Sequence, residues 1–154
     1  MEAVALAAVG AVAIISILIS IVMWVIVGLS HMKALRMLGY HTPWHAWIPV
    51  LRCMAFADAI KEGEEISIFG KPLPFQYFRF WWVLLVVADL IALKASTLGS
   101  ILNIVVSVIF LGTIYGKMYA RLENKPESEV QALGYVSGWL SIIAVVKFLL
   151  YKEN

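Results

Sequence analysis

Three histidines, His31, His41 and His45, are the most obvious metal-binding chemistry in this chain of 154 residues. His41-x-x-x-His45 would put both imidazoles on one face of a continuous helix and could hold a metal ion. Pro43 lies between them and disturbs that regularity, and no acidic third ligand lies nearby in sequence. Exposed interface histidines are the competing expectation, and neither a metal nor a cofactor is expected. Cys53 is the single cysteine, which excludes an intramolecular disulfide and a Cys-rich zinc site. It reads as a small core residue rather than a nucleophile. Asp89 is the one acidic residue inside a long apolar run, and intramembrane acids are functional candidates by default. Asn103 falls at matched depth on the next apolar run, so a hydrogen bond between the two is geometrically cheap. That bond either locks a helical hairpin or forms part of a protonatable or cation-binding site. Lys147 sits four residues from Tyr151, close enough to an end for its ammonium to snorkel. The sequence holds no glycine-rich phosphate loop, Gly-x-Ser-x-Gly elbow or His-Glu-x-x-His pair. No catalytic residue is therefore assigned.

The elements that position these groups are set by composition. Apolar residues make up 62% of the chain and charged residues 14%, against about 45–50% and 25% in soluble domains. Too little polar surface remains to coat a water-soluble globule. A net charge of +2 gives no reason to expect nucleic acid as a partner. The expected fold is an all-α membrane protein with four transmembrane helices, over about 3–29, 78–94, 98–116 and 132–151. A kinked interfacial or re-entrant amphipathic helix over about 43–60 follows the first span. Thr42 and Pro43 look like its N-cap and first turn, and Pro49 predicts the kink. Trp44 and Trp47 are expected as interface anchors together with Arg52, whose charge argues against a fifth crossing. Nine basic residues fall in the loops 31–79 and 117–131, against Lys94 and Lys152 on the other side. That asymmetry predicts a multi-pass plasma-membrane protein with cytoplasmic loops and both termini outside.

Spacing then predicts which helix faces meet. At 100° per residue Ser96, Ser100, Asn103 and Ser107 form a polar stripe on the third span, opposite Gly112 and Gly116. The third span is thus expected at the packed centre. Gly134 and Gly138 repeat the small-x-x-x-small spacing on the fourth span, so the two glycine pairs are expected to meet in an antiparallel contact. Homodimerisation through either face is the alternative.

The segment Pro43-Trp44-His45-Ala46-Trp47-Ile48-Pro49, after Gly39 and followed by Gly70-Lys71-Pro72 ahead of Trp81-Trp82, resembles an uncharacterised family of small bacterial membrane proteins. Its pattern, over roughly residues 30–85, is Gly-Trp-x-Ala-x-Ile-Pro with Tyr-Asn after it and a later Gly-Lys-Pro. Pro43 stands here in place of the glycine, and Leu51-Arg52 in place of Tyr-Asn. The resemblance implies a multi-span architecture and a bacterial setting, without an activity. The functional expectation is a non-catalytic accessory or assembly subunit, with the lipid bilayer and another membrane protein or a second copy as partners. A small transporter or channel component using Asp89 and the polar stripe of the third span is the second expectation, and a membrane enzyme using the histidine segment the third.

Overall fold

The structure, a computed structural model, describes residues 2–152. It is mostly helical. Helix α1 spans Glu2–Met37, and a left-handed Gly39 then turns the chain back. A 3-10 turn over Pro43–Trp47 follows, and α2 covers Pro49–Ala59. Strands β1 (Glu65–Ile68) and β2 (Lys71–Pro74) pair as an antiparallel hairpin. Helices α3 (Phe75–Arg79), α4 (Trp82–Ala92) and α5 (Ser96–Val106) come next. A π-helical turn over Ser107–Leu111 joins α5 to α6 (Gly112–Glu123) without interrupting the rod. Helices α7 (Glu127–Trp139) and α8 (Ser141–Leu150) close the chain.

Two helical runs are long and apolar enough to cross a bilayer, Val9–Met37 and Ser96–Glu123. The stretches 78–94 and 132–151, expected as continuous spans, are both broken. Helix α4 has 11 residues and α8 has 10, or about 15–17 Å each at 1.5 Å per residue. That is half of a hydrocarbon core of about 30 Å. The break at Leu140, in non-helical backbone, reverses the direction of the chain. Tyr151 Oη donates to Glu123 Oε1 at 2.6 Å, and Lys147 pairs with the same carboxylate. Lys33 Nζ donates to the carbonyls of Leu149 and Tyr151. The ends of α1, α6 and α8 therefore lie together, and α7–α8 is a helical hairpin that returns to its starting end. Tyr151 thus lies at the end that carries the charged loops, where four unbroken spans would put it at the opposite one. A specific ion pair also takes the place of the expected snorkelling by Lys147.

The segment 43–60 is likewise a hairpin rather than one kinked helix. Ile48 is extended, so Pro49 begins α2 at a position where a missing N–H costs nothing, instead of bending a longer helix. Thr42 precedes the 3-10 turn without making a side-chain cap. Trp47, expected at an interface, packs on α1 beside Trp24 at 5.0 Å between ring centroids. A Cβ built on Gly28 would stand 2.5 Å from its ring, so glycine is what admits the indole there. Trp44 remains exposed. Arg121 closes the other arm by donating to the carbonyls of Ala59 and Ile60 at the end of α2.

The hairpin at 65–74 is not expected from the sequence, because Pro72 and Pro74 argue against a strand. The register resolves this. Closure through Phe69 and Gly70, both at positive φ, pairs Ile68 with Lys71 and Ile66 with Leu73. In a two-residue hairpin these are the hydrogen-bonded pairs, leaving both prolines at positions that need no donor.

Burial is unevenly distributed. The core gathers the last turns of α1 and α2, helix α3, the first two turns of α6 and the middle of α8, with Leu35, Phe56, Phe78, Met118 and Phe148 fully enclosed. Every residue from Val9 to Trp24 is exposed, as are most of those on α4 and α5. The packed centre is thus α6, and the polar-striped α5 stands outside it.

Candidate functional site

Between the two hairpins lies a cavity of about 320 Å³. Its polar lining comes from His31 on α1, Arg52 and Cys53 on α2, Tyr115 on α6 and Ser141 on α8. Arg52 and Cys53 follow the break at Ile48 by one helical turn, and Ser141 directly follows the break at Leu140. The chain reversals therefore deliver these groups to one place. His31, expected in a loop, is buried between Phe56, Tyr115 and Phe148. Its Nδ1 lies 2.7 Å from the Val27 carbonyl, which can only accept, so the proton is on Nδ1. The lone pair of Nε2 then faces the Tyr115 hydroxyl at 3.3 Å. A neutral imidazole whose two nitrogens are both engaged is a positioning element for Tyr115 rather than a free base.

Among the described residues Arg52 is the sole charged one lining the cavity. Trp81 lines it too, stacked on Phe110 of the π-helical turn with 5.7 Å between centroids. Trp81 is buried, and its indole N–H has no acceptor among the described residues. Ser141 and Ile142 stand exposed at the rim.

The other residues singled out from the sequence fall into three groups. Asn103 Nδ2 donates to Asp89 Oδ1 at 2.9 Å, and Ser107 Oγ donates to Asn103 Oδ1 at 3.4 Å. These polar groups tie α4 to α5, with Asp89 and Ser100 exposed on the outside of that pair. The glycines come together. A Cβ on Gly134 would stand 2.5 Å from the Gly116 nitrogen, and one on Gly138 would stand 2.7 Å from the Gly112 nitrogen. Backbone meets backbone at both levels of the α6–α7 contact. The π-helical turn at 107–111 shifts the phase between α5 and α6 relative to a straight helix. Ser107 thereby brings its carbonyl to 2.9 Å from the Cβ that Gly138 lacks.

His41 and His45 both lie against the Tyr40 ring, and the Tyr40 hydroxyl engages His45 Nδ1 at 3.3 Å. Among the described residues no group of three His, Cys, Asp or Glu side chains converges as a metal site would need. At the charged end, Arg79 forms a two-pronged pair with Asp58 at 2.9 and 3.0 Å. Lys117 meets Glu127 at 2.7 Å, and Lys125 meets Glu123 at 2.9 Å, which holds the Lys125 ammonium above its ordinary range. Sequence reasoning misses the cavity because His31, Arg52 and Tyr115 are far apart along the chain. The one local signal is an arginine in an otherwise apolar helix, which by itself reads as an interface anchor. Comparison with family models, with characterised proteins and with solved structures returns no match to this chain.

Proposed function

We propose that the protein is a multi-pass integral membrane protein without catalytic activity, serving as an accessory or assembly subunit. In this reading α1, α3–α4 and α5–α6 pass through the plasma membrane. The hairpins over 43–59 and α7–α8 enter from the cytoplasmic side and return. Non-helical backbone at such depth is tolerated where it lines a cavity or is buried in protein, and Ser141, next to the break at Leu140, lines the cavity between the hairpins. The N-terminal end of α1 then lies outside and the C-terminus inside. The bacterial setting follows from the Pro43–Pro49 resemblance.

The observation that supports an assembly role is Asp89. Its carboxylate has Asn103 as a partner, yet faces outward from an apolar helix pair. A charge facing lipid is costly. The surface of α1 from Val9 to Val22 is likewise exposed and apolar. A transmembrane helix of another protein, bearing a donor or cation opposite Asp89, fits this surface. A Ser100→Cys variant in a Cys53→Ala background should crosslink in native membranes to one defined partner. Asp89→Leu should abolish that crosslink and reduce the complex to monomer size on native gels. A crosslink to a second copy would make the partner this chain itself. No crosslink, with Asp89→Leu leaving the native size unchanged, would sink the proposal.

A second reading, as a small transporter component, is favoured by two broken hairpins that meet at a cavity, an arrangement in which carriers hold their substrates.

A further inference from the structure

We infer that the cavity between the two hairpins binds an anionic amphiphile, its carboxylate or phosphate on Arg52 and its acyl chain running out past α8. The inference is independent of whether the protein assembles through Asp89.

Two observations converge. First, Arg52 lines a cavity to which no acidic side chain contributes among the described residues. A guanidinium is always charged and presents a planar fork of donors suited to carboxylate or phosphate. Second, α8 begins at the rim with Ser141, which puts the helix end that carries unpaired N–H groups and the positive end of the dipole beside the same cavity. Donors and positive charge come from two separate elements, α2 and α8, and no acceptor competes strongly, since His31 Nε2 is already engaged by Tyr115.

The remaining wall identifies the rest of the ligand. Met23, Leu85, Ile142 and Val145 are apolar, and Ile142 is exposed at the opening beside α8. A purely inorganic anion would leave that wall unused. The volume is at the lower end of the roughly 300–1,000 Å³ range of small-molecule sites. It accommodates a headgroup and the first part of a chain, with the remainder leaving through the opening beside Ile142 at the start of α8.

Thermal unfolding of the purified full chain in a neutral detergent tests this. The probes are palmitate, phosphatidylglycerol, phosphatidylcholine and inorganic phosphate. The expected result is a saturable rise in Tm with palmitate or phosphatidylglycerol, and none with phosphatidylcholine or phosphate. Which of the two anionic probes acts at lower concentration separates a free fatty acid from a membrane lipid. Arg52→Gln should raise the half-saturating concentration roughly tenfold or more, as loss of charge-assisted bonds requires. Arg52→Lys should restore part of it, and Lys71→Gln, on the exposed hairpin, should change nothing. If Arg52→Gln does not fold, Ile142→Trp at the rim serves in its place and should weaken the response by blocking entry. An equal response to phosphatidylcholine would overturn the inference. So would anionic responses unaltered by both Arg52→Gln and Ile142→Trp, or a response to phosphate alone.

Discussion

Arg121 and Lys33 each aim a cation at the open carbonyl end of a helix, α2 for the first and α8 for the second. The last carbonyls of a helix have no partner of their own, and they carry the negative end of the dipole. Both residues thereby tie a returning hairpin arm to a long helix. Arg121 also reaches Glu62 at 3.1 Å, and its partial exposure moderates the gain. Arg121→Met should therefore lower stability by about 1.5 kcal/mol, and Arg121→Lys by less, as measured by denaturation in detergent. Glu123 is the other hub, receiving Lys147, Lys125 and the Tyr151 hydroxyl while itself largely enclosed. Glu123→Gln should cost about 1–3 kcal/mol, because Lys147 then remains half-buried without its counter-charge. A double-mutant cycle with Lys147→Met should show positive coupling, the second change costing less once the first is made. Additive losses would mean that the pair contributes nothing of its own.

The α6–α7 contact is the element-scale feature most directly built by sequence. Gly134 and Gly138 bring α7 backbone onto the backbone of Gly116 and Gly112, which in turn admit the side chains of Gln131 and Tyr135, and Tyr119 Oη bonds Ser137 Oγ at 2.9 Å beside them. The atoms that a new Cβ would meet at Gly134 and Gly138 are backbone, which cannot rotate away. Gly134→Leu should thus cost about 1–3 kcal/mol or more and splay α7 from α6. Gly10, with open space around it, should accept Ala without loss. Comparing the two variants by thermal unfolding checks this. A four-residue period in glycine is legible because it repeats within a helix. The break at Leu140 is not, since Trp139-Leu140-Ser141 contains neither proline nor glycine. It arises from distant contacts, the packing of Phe148 on His31 and Tyr119 and the hold of Lys33 on the end of α8. The β-hairpin is hidden for the opposite reason, as its prolines are exceptions that only the register explains. The cavity residues are individually visible, but nothing in the linear order of His31, Arg52, Trp81 and Tyr115 brings them together.

At the scale of the whole molecule, the reversal at Leu140 changes how the charges are distributed between two ends. Lys147 and Tyr151 lie with Lys33, Arg121 and Glu123, so Lys152 belongs to that end as well. Lys94, in the turn between α4 and α5, is left as the basic residue at the opposite end. Under the rule that Lys and Arg accumulate in the cytoplasm, this is a steeper asymmetry than four unbroken spans would give. It predicts opposite sides for the α4–α5 turn and the C-terminus. Single Lys94→Cys and Lys152→Cys variants, in a Cys53→Ala background, should therefore react differently with a membrane-impermeant maleimide applied to intact cells. Lys94→Cys should label at once, and Lys152→Cys only after the membrane is opened. Labelling of Lys152→Cys from outside would mean that α7–α8 crosses, which is incompatible with the Lys33 and Glu123 contacts. Adding the Glu123→Gln and Lys33→Met changes to the Lys152→Cys chain sharpens the test. If those contacts stabilise the hairpin without setting its side, the label should stay cytoplasmic while the melting temperature falls. If they hold α8 back from crossing, a fraction of the triply substituted chains should become labelled from outside in intact cells.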